Sequence, residues 1–314
     1  MFSPQEVSIC WKHTPIVGRR ATGGRPDCER TAGLSQRSPR FLACRPRQRA
    51  ILSLTVDFQP VEENLRQSFR LLASSREPGE VREAAGVTIA SAGVTFQMFN
   101  AAFLSSPVAG ERDLYNRIAT AKVHFAARGL SWSYWVCEGW LDKPVRRRSH
   151  DAFRKHGLYL ATELPGMLAE RLKSPIRELP WLEMRLVADD VTWCAFCEIG
   201  ALCFNVPLAW FREVFEDPRV WQSGFVGYVG YPGGEAVATV ATVIAGGAVG
   251  LYNVATLPGH RNLGYGESIM RQALDRARER YGIERTVLQS TPQGLRLYER
   301  MGYSAITNVA VYTS

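Results

Sequence analysis

A chain of 314 residues, 46% hydrophobic and 22% charged, has the composition of a globular protein. At roughly 100 to 200 residues per domain it is long enough for two, and collagen-like, coiled-coil and wholly disordered classes are excluded. The net charge of +8 is concentrated in the first fifty residues, where ten Lys or Arg face three acids; the rest carries 28 basic and 27 acidic side chains. That balance predicts neither a nucleic-acid partner nor an anionic membrane partner.

Residues 1–50 hold only eight of Ile, Leu, Val and Phe among scattered Pro, Gly, Ser and Arg. They cannot bury a core, and we expect either a disordered tail or a start assigned too early. A chain starting near Ile51 is therefore expected to keep its melting temperature, and a large fall would reject this reading. No apolar run follows an early basic region as in a secretory signal. Four cysteines in the body (Cys137, Cys194, Cys197, Cys203) fit a reducing compartment, and the expected location is cytoplasmic.

In the first half, Asp113 to Arg128 has helical spacing through Leu114, Ile118, Ala119, Val123, Phe125 and Ala126. The second half alternates strands and helices. Trp181 to Val187 reads as a strand, and Asp190 to Cys203 as a helix capped by Asp189-Asp190. Cys194-x-x-Cys197 falls on that apolar helix, where cysteine behaves as a small hydrophobe, and no second ligand pair completes a zinc site. We expect no metal. Pro207 to Phe215 is helical, and Gly224 to Tyr231 is a strand. Val237 to Ala245 and Val249 to Thr256 form a hairpin about Gly246-Gly247, so the apolar stretch from Ala236 to Tyr252 is two strands, not a membrane span. Leu263 to Tyr281 is an amphipathic helix ended by Gly282. A strand (Thr286 to Gln289), a helix (Gln293 to Met301) and a last strand (Ile306 to Tyr312) follow.

The chemistry is expected where the strand gives way to the helix, at Val254-Ala-Thr-Leu-Pro-Gly-His-Arg261-Asn-Leu-Gly264-Tyr-Gly266. Glycines at such a turn let backbone N–H groups converge, and the helix start adds about half a positive charge, which makes a cradle for a diphosphate. No Gly-Lys-Ser/Thr follows, so it is not a Walker loop, and the first glycine of a dinucleotide fingerprint is missing. His260 reads as a solvated loop residue.

The order strand, Pro258, Arg261-x-x-Gly264-x-Gly266, helix resembles the coenzyme A motif of the GNAT superfamily of acyl-CoA-dependent N-acyltransferases. Leu295-Arg-Leu-Tyr298-Glu-Arg-Met-Gly302-Tyr303, about 37 residues on, is similar to that family's second motif. The resemblance implies an acetyl-CoA-dependent N-acetyltransferase acting on a small-molecule or peptide amine. It also implies residue roles. Arg261 belongs to the coenzyme motif, and the amides of Asn262, Leu263, Gly264, Tyr265, Gly266 and Glu267 would hold the pyrophosphate. The strand edge at Val254, Ala255 and Thr256 would pair with the pantetheine arm. Tyr298 would protonate the departing thiolate; the same ring could instead be a core anchor. Two positions depart from the family: Thr291 stands where many members have Asn, and no carboxylate or His lies between Ala248 and Leu257 to serve as base. The alternative function is a catalytically inactive acyl-CoA-binding or structural module.

Phe99-Asn-Ala-Ala-Phe103 parallels Tyr252-Asn-Val-Ala-Thr256, and Phe153-Arg-Lys-His-Gly157-Leu158 parallels Tyr298-Glu-Arg-Met-Gly302-Tyr303, at offsets of 153 and 145. Arg-x-x-Gly-x-Gly is absent from the first copy, and Phe153 lacks a hydroxyl. The expected fold is therefore α/β, with tandem GNAT-like domains, each a mixed, mostly antiparallel sheet flanked by helices: a degenerate copy at 51–180 and an acetyltransferase domain at 181–314. An aromatic surround (Phe204, Trp210, Trp221, Tyr228, Tyr252) suits either an apolar amine or core packing. Acceptor and oligomeric state are left open.

Overall fold

A computed structural model describes residues 57–314; the basic tail and the expectation attached to it lie outside the described residues. Pro60 occupies the first turn of helix α1 (Gln59–Ser74), where its missing N–H has no intrahelical partner to lose. The hairpin β1 (Glu80–Ala84) and β2 (Val87–Ser91) turns at Ala85-Gly86, both in left-handed backbone. Then come β3 (Asn100–Leu104), α2 (Glu111–Ala126), β4 (Ser133–Cys137), α3 (Lys143–Lys155) and the long strand β5 (Tyr159–Ala169). An irregular segment, 170–182, leads to β6 (Glu183–Leu186) and the helices α4 (Asp190–Phe204), α5 (Leu208–Phe215) and α6 (Pro218–Gln222). The chain continues through β7 (Val226–Tyr231), β8 (Ala238–Ala245), β9 (Ala248–Thr256), α7 (Tyr265–Tyr281), β10 (Thr286–Gln289), α8 (Leu295–Met301) and β11 (Ser304–Thr313).

Local signals explain these boundaries. Asp189 accepts from Thr192 N at 2.8 Å and completes a capping box on α4. Gly246 and Gly247 both have left-handed φ (59° and 66°), the backbone a two-residue hairpin needs. Cys194 and Cys197 ride on α4, with Cys197 buried and its thiol pushed up to about 12 by desolvation. Helix α6 escapes the sequence reading because five residues are too few for a period to register.

All eleven strands among the described residues form one sheet, in the order β1-β2-β3-β4-β11-β5-β10-β9-β8-β7-β6. Apart from β6 the order is palindromic. The hairpin β1-β2 matches β7-β8, and the parallel pair β3/β4 matches β9/β10. The C-caps repeat as well: Leu158 N donates to Phe153 O at 3.1 Å and Tyr303 N to Tyr298 O at 3.0 Å, over left-handed Gly157 and Gly302. The fold is a tandem one of the expected class, and its two copies exchange their last strands. β5, the end of the first copy, pairs with β10 of the second, while β11 pairs with β4 of the first. The exchanged strands lie antiparallel to each other at the centre.

Side-chain alternation distributes these strands over two layers. Ala310 and Tyr312 pack under α2 and α3, and Met167 and Ala169 under α7 and α8, on one face. Val309, Val311, Leu164 and Leu168 meet α1 on the other, beside α4, α5 and α6. Asn64 of α1 fastens this layer by donating to the carbonyls of Val243, Ala245 and Ala248 (2.9 to 3.1 Å), while the Tyr252 hydroxyl donates to Asn64 Oδ1 at 2.7 Å. Among the described residues no helix is long and apolar enough to cross a membrane.

Candidate functional site

Strands β9 and β10 are paired only at Val249/Thr286 and Gly250/Val287, after which β9 runs on to Thr256 without β10 beside it. The sheet therefore splits. At the start of the split Asn253 has φ 48°, within a register shift against β8, and its carbonyl accepts from Thr239 Oγ1 at 2.8 Å. Two buried carboxamide nitrogens sit on the strands that part here, Asn253 Nδ2 and Gln289 Nε2, and neither has a hydrogen-bond partner among the described residues. Unsatisfied donors of this kind are costly unless a ligand or water completes them.

The loop from β9 to α7 lies at the same end. Asn262 and Gly264 have left-handed φ (65° and 101°), and among the described residues the backbone N–H groups from Asn262 to Glu267 donate to no protein acceptor. Alternating handedness of this sort gathers successive N–H groups into an anion-binding concavity, at the positive end of a 17-residue helix. The residues expected to hold the pyrophosphate are thus brought together. Gly266 faces Thr256, whose Oγ1 would lie 3.1 Å from an added Cβ. Glu267 is buried and tied to Arg271 at 2.7 Å, so its charge is matched.

Other predicted residues serve partly as scaffold. Arg261 turns its Nε back onto Thr256 O (3.0 Å), which also accepts from Cys203 Sγ (3.3 Å), so this end of the β9 edge braces the loop. Leu263 is exposed and Tyr265 half-buried. His260 lies 3.7 Å from Glu235 on the surface side of the loop. Tyr298, on α8 and 9% exposed, belongs to the core cluster that includes α7, its ring edge-on to Tyr303 at 5.9 Å and closely against Gly294. Burial pushes its hydroxyl up to about 12, so the proton stays on at neutral pH. The aromatic residues are packing: Trp221 donates to Phe215 O, Trp210 stacks on Phe96, Phe204 on Phe211, and Tyr228 lies under Arg276.

The matching places in the first copy are closed by protein groups. Asp113 Oδ2 takes Ala109 N at 2.9 Å, and buried Arg117 donates to Gly86, Ser106 and Pro107 carbonyls as well as to Asp113. Two acids, Glu111 and Asp113, occupy the first turn of α2, where they oppose an anion. Asn100, the counterpart of Asn253, has its carboxamide filled by Gly93 N, Val94 N, Val94 O and Ser131 O. Phe153 stacks on Tyr312 at 3.9 Å.

The sequence reading missed the segment between the copies. Pro180 Cδ would lie 2.8 Å from a Cβ on Gly264, and Arg177 donates to Asn262 O at 3.1 Å. A stretch without period or turn chemistry gives no local sign of where it will lie.

An α/β sheet parted between parallel strands, with a bare glycine-rich helix start at the opening, defines an N-acyltransferase fold, here in tandem. Residues 192–303 match the acetyltransferase (GNAT) family. Similar solved structures agree in fold. A GCN5-related N-acetyltransferase from Kribbella flavida is 20% identical with TM-score 0.63, over 83% of this chain and 96% of that one. A conserved protein of unknown function from Staphylococcus epidermidis is 12% identical with TM-score 0.53, over 74% and 92%. A tandem GNAT protein from the clavulanic acid biosynthesis pathway is 11% identical with TM-score 0.50, over 76% and 80%. None of the curated proteins matches the sequence.

Proposed function

We propose that the protein moves an acetyl or related acyl group from acyl-coenzyme A to the amine of a small molecule or peptide. The observation that carries this is the run of unengaged N–H groups from Asn262 to Glu267 beside the split between β9 and β10. Acetyl-CoA, when bound, supplies an acyl group activated as a thioester. The loop amides hold its diphosphate, and Val254 and Ala255, with Thr256 braced at the end, offer the strand edge to its pantetheine arm. Tyr298 keeps its proton at neutral pH and gives it to the departing sulfur. Holding both reactants in one cleft makes the attack effectively unimolecular.

The second reading, a protein that binds acyl-CoA without catalysis, is favoured by one observation. The Tyr298 hydroxyl makes no hydrogen bond among the described residues, as expected of a ring that only packs. Release of free thiol from acetyl-CoA with a panel of mixed amines separates the two; acetyl-CoA binding with no amine acylated would leave the binding module.

Gly264→Val tests the coenzyme loop. Its φ of 101° disfavours any side chain, and the new Cβ meets Pro180, so the concavity cannot keep its shape. Acetyl-CoA affinity is expected to fall at least about a hundredfold by calorimetry while the chain stays folded, a loss typical of several hydrogen bonds to a charged group. Because the first copy's loop is filled by Asp113 and Arg117, wild-type protein is expected to bind one acetyl-CoA per chain. Two sites would show that the first copy is not degenerate.

A further inference from the structure

The segment between the copies straps the second copy from one end of its helical layer to the other. Lys173 N donates to Met301 O at 2.8 Å, and an added Cβ on Gly302 would lie 3.1 Å from Lys173 Cγ, so the strap begins against the end of α8. Pro180 packs on Gly264, and its carbonyl accepts from Ser268 Oγ at 3.0 Å, so the strap ends against the start of α7. Between these anchors the Arg177 guanidinium reaches the coenzyme loop. Its Nη2 donates to Asn262 O at 3.1 Å and lies 3.3 Å from the position of a Cβ on Gly264.

The other two arginines beside that loop are anchored, one to a carboxylate and one to a β9 carbonyl. Arg271 is paired with Glu267, and Arg261 is turned onto Thr256 O. Arg177 has no carboxylate within salt-bridge distance among the described residues, and it is exposed. A guanidinium fixed by one N–H to a loop carbonyl has its other donors free, and a planar fork suits phosphate oxygens. We propose that Arg177, from outside the family-matched residues 192–303, is part of the coenzyme site and donates to the diphosphate held by the loop. This rests on the acyl-CoA reading above and assigns it a residue that neither of the two motifs contains.

The test compares wild type with Arg177→Ala and Arg177→Lys by calorimetry, using acetyl-CoA and dephospho-CoA, which keeps the diphosphate but lacks the 3′-phosphate. Melting temperature serves as the fold control, since the side chain is exposed and makes one hydrogen bond. Arg177→Ala is expected to weaken both ligands about tenfold to a hundredfold, the range for a hydrogen bond to a charged group, with part of the loss restored by Lys. Weakening of acetyl-CoA alone would move the guanidinium to the 3′-phosphate and overturn the diphosphate assignment. Unchanged binding of both would remove Arg177 from the site while leaving the acyl-CoA reading intact. Absence of any binding by wild-type protein would instead reject that reading, and this proposal with it.

Discussion

Tyr298→Phe is expected to leave the fold and the acetyl-CoA affinity near wild type while turnover falls at least tenfold on whichever amine is accepted. A general acid contributes about 100- to 10,000-fold in rate, whereas a packing ring contributes shape that Phe retains. The ring is already surrounded by core side chains and makes no hydrogen bond through its hydroxyl among the described residues, so removing one oxygen asks little of the packing. The first copy shows the outcome of that substitution at the equivalent place, where Phe153 is fully buried in an otherwise parallel helix end. Because burial holds the hydroxyl pKa up at about 12, turnover should not fall on the alkaline side at the ordinary phenol value near 10 through this residue. A Phe variant turning over at the wild-type rate would exclude the acid role, and the thiolate would then leave unassisted or through water.

Residues 181–314 expressed alone are expected not to fold, although they contain the whole family-matched segment. Both partners of β11, namely β4 and β5, belong to the first copy, and β10 loses its neighbour β5. Val309, Val311 and Tyr312 of β11 are each at most 1% exposed, and their burial depends on strands from the other half. At about 1.5–3 kcal/mol per buried large side chain, these three alone reach the lower part of the net stability of about 5–15 kcal/mol of a typical domain. Circular dichroism and a thermal melt would check the expectation. Supplying residues 57–180 as a separate chain should restore cooperative melting and acetyl-CoA binding. If 181–314 melts cooperatively by itself and binds acetyl-CoA, β11 can return to its own copy and the exchange is dispensable.

Local chemistry made much of this molecule readable from the amino-acid sequence by itself. The Gly246-Gly247 hairpin, the Asp189 cap, the long helix closed by Gly282 and the strand-loop-helix around Gly264 each depend on residues close together in the chain. The internal repeat was legible because its copies keep the same strand and the same helix end, Asn100 with Asn253 and Phe153 with Tyr298.

Which copy's edge β5 and β11 would join was not written locally. Alternation tells which face of a strand is buried, but an antiparallel edge of either copy satisfies it equally, and only the assembled sheet fixes the partner. The placements of two arginines were decided the same way: Arg261, inside the motif, is turned onto Thr256 O, and Arg177, in a stretch without pattern, stands over Gly264. The candidate aromatic surround became packing, and the two unpartnered carboxamides on β9 and β10 appeared, only when distant segments met. A sequence states what each residue is able to donate, accept or bury; which groups it meets across more than a hundred residues of chain is fixed by the tertiary fold.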